Sequence, residues 1–211
     1  MAKIARTNAP APAIERAFRA WTAGKDPVQS RIAIFENIRD IPYAVVPELI
    51  DSRRYAEILK TGRGSCTPKH FLMAEMFQRL GLLVLFTAYP YHWGERSEIM
   101  DNYPHELKRL ADRQPVAYHL SCKVEIDRRF VLVDATLDAP LSKLPLLPVN
   151  LEWDGFSDTL LPMTPVGDEI IFHPLEAHVM TPVVTPEALE FYAILNRVME
   201  NVRKYGEARE D

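Results

Sequence analysis

From Ala117 to Ile126 polar and apolar side chains alternate almost without a break, and this run constrains the possible folds more than any other. His119, Ser121, Lys123 and Glu125 face one way, while Tyr118, Leu120, Cys122, Val124 and Ile126 face the other, which is the period of a half-buried strand. A second strand is predicted over residues 129–135, so close behind that only Asp127 and Arg128 remain to connect the two. A two-residue loop makes an antiparallel hairpin, although this pair lacks the usual Asn-Gly or Asp-Gly signature. In that register paired residue numbers sum to 255, so Asp134 stands opposite Ser121 and diagonal to His119 on the same face. One more residue in the loop would send the carboxylate to the opposite face.

A sheet with an apolar face needs helices to cover it. Ile14, Ala17, Phe18 and Trp21 recur at helical spacing, as do Ile32, Phe35, Ile38 and Ile41, which predicts two amphipathic helices, the second stopped by Asp40-Ile41-Pro42. Thr61-Gly62-Arg63-Gly64 permits a tight turn. Residues 65–81 then predict a central helix capped by Thr67, with Pro68 in the first helical position and Gly81 as the stop. Leu72, Met73, Met76, Phe77 and Leu80 form its buried face. Residues 82–88 read as a buried strand, and residues 92–114 as a polar insertion with a short helix near 106–111. Residues 139–186 read as a proline-rich surface excursion with one strand candidate at 169–172. A helix from Pro186 closes the chain with a stripe of Leu189, Tyr192, Ile194, Leu195, Val198 and Val202. The expected class is α+β: a cysteine-bearing central helix on an antiparallel sheet, flanked by N-terminal and C-terminal helices. Residues 1–12, rich in Ala and Pro, are expected to form a flexible arm, and residues 13–211 one domain.

The 211 residues are long enough to bury a core, and apolar and charged fractions of 47% and 26% are those of a globular protein. A net charge of -4 argues against nucleic acid as a partner. No run of ~18 uncharged apolar residues is present, so no membrane partner is expected. Met1-Ala2-Lys3-Ile4-Ala5-Arg6 lacks the apolar stretch of a secretory leader, which points to a cytoplasmic location. The histidines show no His-Glu-x-x-His spacing, and no phosphate loop or dinucleotide fingerprint occurs, so no metal and no cofactor is implied.

The chemistry centres on Cys66. A thiol is a strong nucleophile only as thiolate, and a helix N-terminus supplies partial positive charge and free backbone donors that lower its pKa. Such a thiol needs an imidazole to take and return a proton, and the imidazole needs an acceptor on its far nitrogen to fix its tautomer. His119 and Asp134 answer those needs on adjacent predicted strands. Cys122, of opposite parity to His119, belongs to the core, and His70, His92, His105, His173 and His178 are read as surface or satisfied core.

Three stretches in order carry a resemblance: residues 34–43 (IFENIRDIPY), Gly62-Arg63-Gly64-Ser65-Cys66 with the helix to Gly81, and His119 followed by residues 130–136 (FVLVDAT). Over residues 34–136 the chain resembles the transglutaminase-like superfamily, thiol enzymes with a papain-like core. The resemblance implies Cys66 as nucleophile, His119 as base and Asp134 as its orienter. It implies acyl transfer from an amide or ester in a peptide, protein or small molecule, by hydrolysis or by transamidation. The Leu120-Ser121 pair departs from the family's small residue and aromatic after the histidine. Tyr43 and Tyr55 are candidates for the side chain of an oxyanion hole, and residues 91–115 and 153–158 for walls of a cleft. A non-catalytic binding domain on the same fold, and an acyltransferase resembling arylamine N-acetyltransferases, are the alternatives.

Overall fold

The computed structural model describes residues 12–95, 103–179 and 184–207. The chain is mixed α+β, with a four-stranded antiparallel sheet and six α-helices among the described residues. The helices are α1 (Pro12–Thr22), α2 (Pro27–Arg39), α3 (Ile58–Thr61), α4 (Cys66–Arg79), α5 (His105–Ala111) and α6 (Pro186–Tyr205). The strands are β1 (Val84–Tyr91), β2 (Ala117–Ile126), β3 (Arg129–Val133) and β4 (Ile170–Phe172), in the order β3-β2-β1-β4. The arm expected over residues 1–12 lies outside the described residues except for Pro12, which is already the first residue of α1.

Asp127 and Arg128 both take positive φ, 51° and 66°, the conformation of a type I′ hairpin turn. The register runs from Ile126↔Arg129 to Cys122↔Val133, which keeps the sum of 255. β3 stops at Val133, two residues short of the predicted end, so Asp134 begins an irregular exit rather than continuing the ladder. That exit is held separately: Asp134 N–H donates to Thr159 Oγ1 at 2.7 Å, and Asn150 Nδ2 donates to the Asp134 carbonyl at 3.1 Å.

The half-buried strand is corrected in its middle, where both faces of β2 are covered: Ser121 and Cys122 are each fully buried. On the polar face Asp134 closes over Ser121, and α4 covers the apolar one. Tyr118, predicted on the apolar side, is 49% exposed because that end of β2 runs past the helix layer.

Two apolar clusters result. One joins α2, α4 and the sheet through Ile34, Phe35, Met73, Phe77, Phe86 and Val124. The other joins Tyr43 and Val45 to α5 and α6 through Leu110, Phe191, Leu195 and Val202. Leu189, predicted in the buried stripe of α6, is exposed, and Phe191 is the residue that packs inward. Polar ties fix α6 against the segment carrying Tyr43. Arg203 grips the buried Asp138 with Nε at 2.8 Å and Nη2 at 2.7 Å, and donates from Nη2 to the Tyr43 carbonyl at 2.7 Å. Asn196 pairs with both backbone groups of Val45, each at 2.8 Å. No helix among the described residues is long and apolar enough to cross a membrane.

Candidate active site

Helix α4 begins at Cys66, earlier than its punctuation suggested: Ser65 is the N-cap, and Pro68 is third rather than first in the helix. The first four N–H groups of a helix have no intrahelical acceptor, so a proline at the third position forfeits no helical bond. Ser65 makes no side-chain cap, which leaves the N–H groups of the first turn uncovered by a cap side chain beside the sulfur.

The turn that delivers Cys66 depends on glycine twice. Gly62 ends α3 in the left-handed region at φ 66°. Gly64 runs beside Tyr43 and bonds to its neighbours, its N–H to the Pro42 carbonyl at 3.0 Å and its carbonyl accepting from Ala44 N–H at 3.2 Å. A Cβ on Gly64 would meet Ile58 Cδ1 at 2.6 Å and Pro68 Cγ at 2.9 Å, both buried. Gly64→Ala is therefore expected to cost about 1–3 kcal/mol, read by urea unfolding, and to slow alkylation of Cys66 by moving the helix start.

The three residues singled out from sequence converge. His119 Nε2 donates to Asp134 Oδ2 at 2.5 Å, which leaves Nδ1 free to face the neighbouring Cys66 sulfur. Asp134 also accepts from Ser121 Oγ at 2.5 Å and, on Oδ1, from the N–H of Thr136 at 3.0 Å. His119 and Asp134 are buried, and Cys66 is part-buried at the cleft.

Burial works against charge at all three, and each partner outweighs it. Burial raises the Cys66 thiol, but the hydrogen bond and charge of His119, with the Leu120 backbone N–H, bring its pKa below the ordinary thiol value. Burial lowers His119, but the Asp134 carboxylate first, and then Cys66, lift it to about 10. Burial raises Asp134, yet the charges of His119 and His70 and the bonds from His119 and Ser121 hold it well below the carboxylate range. At neutral pH these directions favour a thiolate beside an imidazolium. Cys122 stands apart in the core, its thiol pushed well up by burial and its Sγ donating to the His70 carbonyl at 3.5 Å.

Two residues of α4 that the sequence did not mark as part of the site hold it together. His70 is fully buried, with Nδ1 bonded to the Cys66 carbonyl at 2.9 Å and Nε2 accepting from Ala135 N–H at 3.1 Å. The acceptor role of Nε2 makes Nδ1 the protonated nitrogen, so one neutral ring ties the cysteine's own carbonyl to the residue after Asp134. Lys69, also fully buried, gives its amine to the carbonyls of Arg39, Ala135 and Thr136 at 2.9, 3.2 and 2.8 Å. Their position on the first turn of α4 was visible in the sequence. Their distant partners, 30 to 67 residues away, were not.

Burial holds His70 down to about 4, outweighing the pull of Asp134, against about 6.5 in an unfolded chain. A base with a depressed folded pKa contributes stability that is complete above its unfolded pKa and is lost as pH falls through its folded one. Between pH ~6.5 and ~4 unfolding free energy is expected to fall by roughly 1.4 kcal/mol per pH unit from this ring alone. Asp134 titrates below that window. Urea midpoints across it should flatten in His70→Gln, and an unchanged slope would refute the assignment.

A cleft of about 730 Å³, counted to its open mouth, starts at Cys66 and His119 and lies between the two apolar clusters. Tyr91, His92, Trp93 and Tyr103 of the predicted insertion line it, with Tyr43. The segment at residues 153–158 does not line it, a correction with a packing reason: Trp153 is buried against Phe35 and Phe77, and Phe156 lies under the Arg31 guanidinium. Leu147, Pro162 and Met163 line the cleft from that excursion instead. Of the two tyrosines considered for an oxyanion hole, Tyr43 lines the cleft with Cys66. Tyr55 stacks on Phe71 and donates to Glu75 Oε2 at 3.4 Å, away from it. Among the described residues no group of three or more His, Cys, Asp or Glu is arranged to hold a metal ion.

No protein-family model matches the chain, and no curated protein matches it closely.

Proposed function

We propose that this protein is a thiol acyl-transfer enzyme of transglutaminase-like design, with Cys66 as nucleophile, His119 as acid and base, and Asp134 as the orienter of the imidazole. The observation that carries the reading is the convergence of Cys66, His119 and Asp134, the ring bonded to the carboxylate and the sulfur beside the ring, from a helix start and two neighbouring segments of an antiparallel hairpin. The helix-on-sheet arrangement and the order of the three residues support the family resemblance.

In this mechanism the Cys66 thiolate attacks an amide or ester carbonyl, and the carbonyl electron pair moves onto oxygen. The N–H groups of the first turn of α4 and the Tyr43 side of the cleft are the donors available to that oxyanion. Collapse expels the amine or alcohol, which takes its proton from the His119 imidazolium and leaves a thioester on Cys66. Water or an amine then attacks the thioester while His119 Nδ1 accepts its proton, and the sulfur departs as thiolate. Hydrolysis and transamidation share every step except the acceptor.

The deciding measurement is the rate of Cys66 alkylation by iodoacetamide against pH, in the native protein and in His119→Ala. An activated thiolate labels fast well below the free-thiol pKa of ~8.5, and the substitution moves labelling up toward that value. Labelling that follows an ordinary thiol titration in both proteins would favour a binding domain without catalysis.

A further inference from the structure

The cleft beside Cys66 has a composition that restricts what it can hold. Tyr91, Trp93, Leu137, Leu195 and Met199 contribute walls, and among the described residues no Asp, Glu, Lys or Arg lines it. The wall is braced: Trp93 rests on Tyr91 at 5.2 Å and on Phe191 at 4.9 Å between ring centroids. At the cleft wall, one buried side-chain polar atom among the described residues is left over. Thr136 lines the cleft and is only 3% exposed, yet its Oγ1 has no hydrogen-bond partner. A buried hydroxyl without a partner costs free energy that a correctly placed ligand atom recovers.

From these observations we propose that the cleft binds the acyl portion of a small, uncharged aromatic or bulky aliphatic donor, one of whose polar atoms hydrogen-bonds to Thr136 Oγ1. Naming the occupant an acyl group rests on the acyl-transfer reading above; the preference for a neutral, apolar occupant does not. Among the described lining residues an anionic donor would meet no cation but the His119 imidazolium, which Asp134 and the Cys66 thiolate already engage, so it would bury its charge without a free partner. A cationic donor could lie on the aromatic faces, but it would meet the His119 imidazolium in the same cleft. A glutamine side chain, with its short stem of two methylenes, would leave most of the apolar wall in contact with water. A ring or branched chain covers it.

Three haloacetamides separate the possibilities when their rates at Cys66 are divided by their rates with free cysteine: iodoacetamide, N-benzyl iodoacetamide, and N-(4-carboxybenzyl) iodoacetamide. The benzyl reagent is expected to gain at least tenfold over iodoacetamide and to saturate, and the carboxylated one to lose that gain. In Thr136→Val, which keeps the shape and removes the hydroxyl, the benzyl reagent should slow by roughly two- to tenfold, the range of one hydrogen bond. Equal normalised rates, or a carboxylated reagent as fast as the neutral one, would overturn the neutral apolar site. An unchanged benzyl rate in Thr136→Val would overturn the role of the hydroxyl. The absolute rate and pH profile of iodoacetamide report the thiolate separately. A slow, ordinary thiol that keeps the benzyl preference defeats acyl transfer and keeps the site, and a fast thiol without preference does the reverse.

Discussion

Asp134→Asn is expected to slow alkylation of Cys66 at pH 7 by up to ~30-fold and to lower any acyl-transfer turnover by on the order of 10³–10⁴, while the protein stays folded. The hydrogen bonds determine how the new amide must sit. Oδ1 accepts from the backbone N–H of Thr136, which cannot turn away, whereas Oδ2 accepts from Ser121 Oγ and His119 Nε2, both of which can adapt. The amide nitrogen therefore takes the Oδ2 position, Ser121 rotates its hydroxyl, and His119 accepts on Nε2. Its proton moves to Nδ1, on the side of the sulfur, so no lone pair remains to receive a proton there. Without the carboxylate the imidazolium also loses the charge that lifts it to about 10. Cys66 then returns toward an ordinary thiol, about 3% ionised at pH 7, which sets the alkylation limit. Because the amide keeps the shape and most of the bonds, the stability loss should be about 1–3 kcal/mol by urea unfolding. Alkylation within twofold of the native rate, with folding intact, would remove Asp134 from the proposed chain of proton transfer.

The part of this site that the sequence made legible is the part set by local rules. Parity along β2 and a two-residue turn were enough to place Asp134 beside Ser121 and His119, because register in a short hairpin is set by loop length. The tight turn at Gly62 and Gly64 and the helix beyond it were equally plain, since close approach and left-handed backbone leave a glycine signature. The residue at which α4 starts was not legible. A proline fits any of the first positions of a helix, so Pro68 could not tell Cys66 from Thr67 as the first helical residue.

Long connections were read least well. Residues 153–158 and 162–163 belong to one proline-rich excursion, and nothing in their composition says which piece reaches the cleft. Trp153 went to the core because its ring fills space against Phe35 and Phe77, and that space exists only once α2 and α4 are packed. His70 and Lys69 escaped for the same reason. A polar side chain inside an apolar helix face signals burial only when its distant hydrogen-bond partners are known.

Lys69→Met is the other substitution with a large expected effect, a loss of about 3 kcal/mol near pH 8, and its pH dependence identifies the cause. The methionine fits the volume, but the buried carbonyls of Arg39, Ala135 and Thr136 lose a side chain that supplies three N–H donors as the ammonium and two as the neutral amine. Part of that loss is offset, because the native protein keeps an amine out of water: burial lowers Lys69 to about 7 against the pull of Asp138 and Asp134. The unfolded chain, with a lysine pKa of ~10.4, binds the extra proton throughout the interval above pH ~7. The contribution of Lys69 is thus complete above ~10.4 and is lost as pH falls through about 7, so the native protein gains relative to Lys69→Met as pH rises from 7. His119 runs the opposite way over part of that range, its raised pKa contributing stability that disappears as pH climbs through about 10. It is common to both proteins, so the difference between their urea unfolding free energies at pH 7, 8 and 9 isolates the lysine. A difference that widens by roughly 1 kcal/mol per pH unit is expected. A constant difference would mean that the amine is charged in the fold throughout, and that its three carbonyls, together with Asp138 and Asp134, fully compensate its burial.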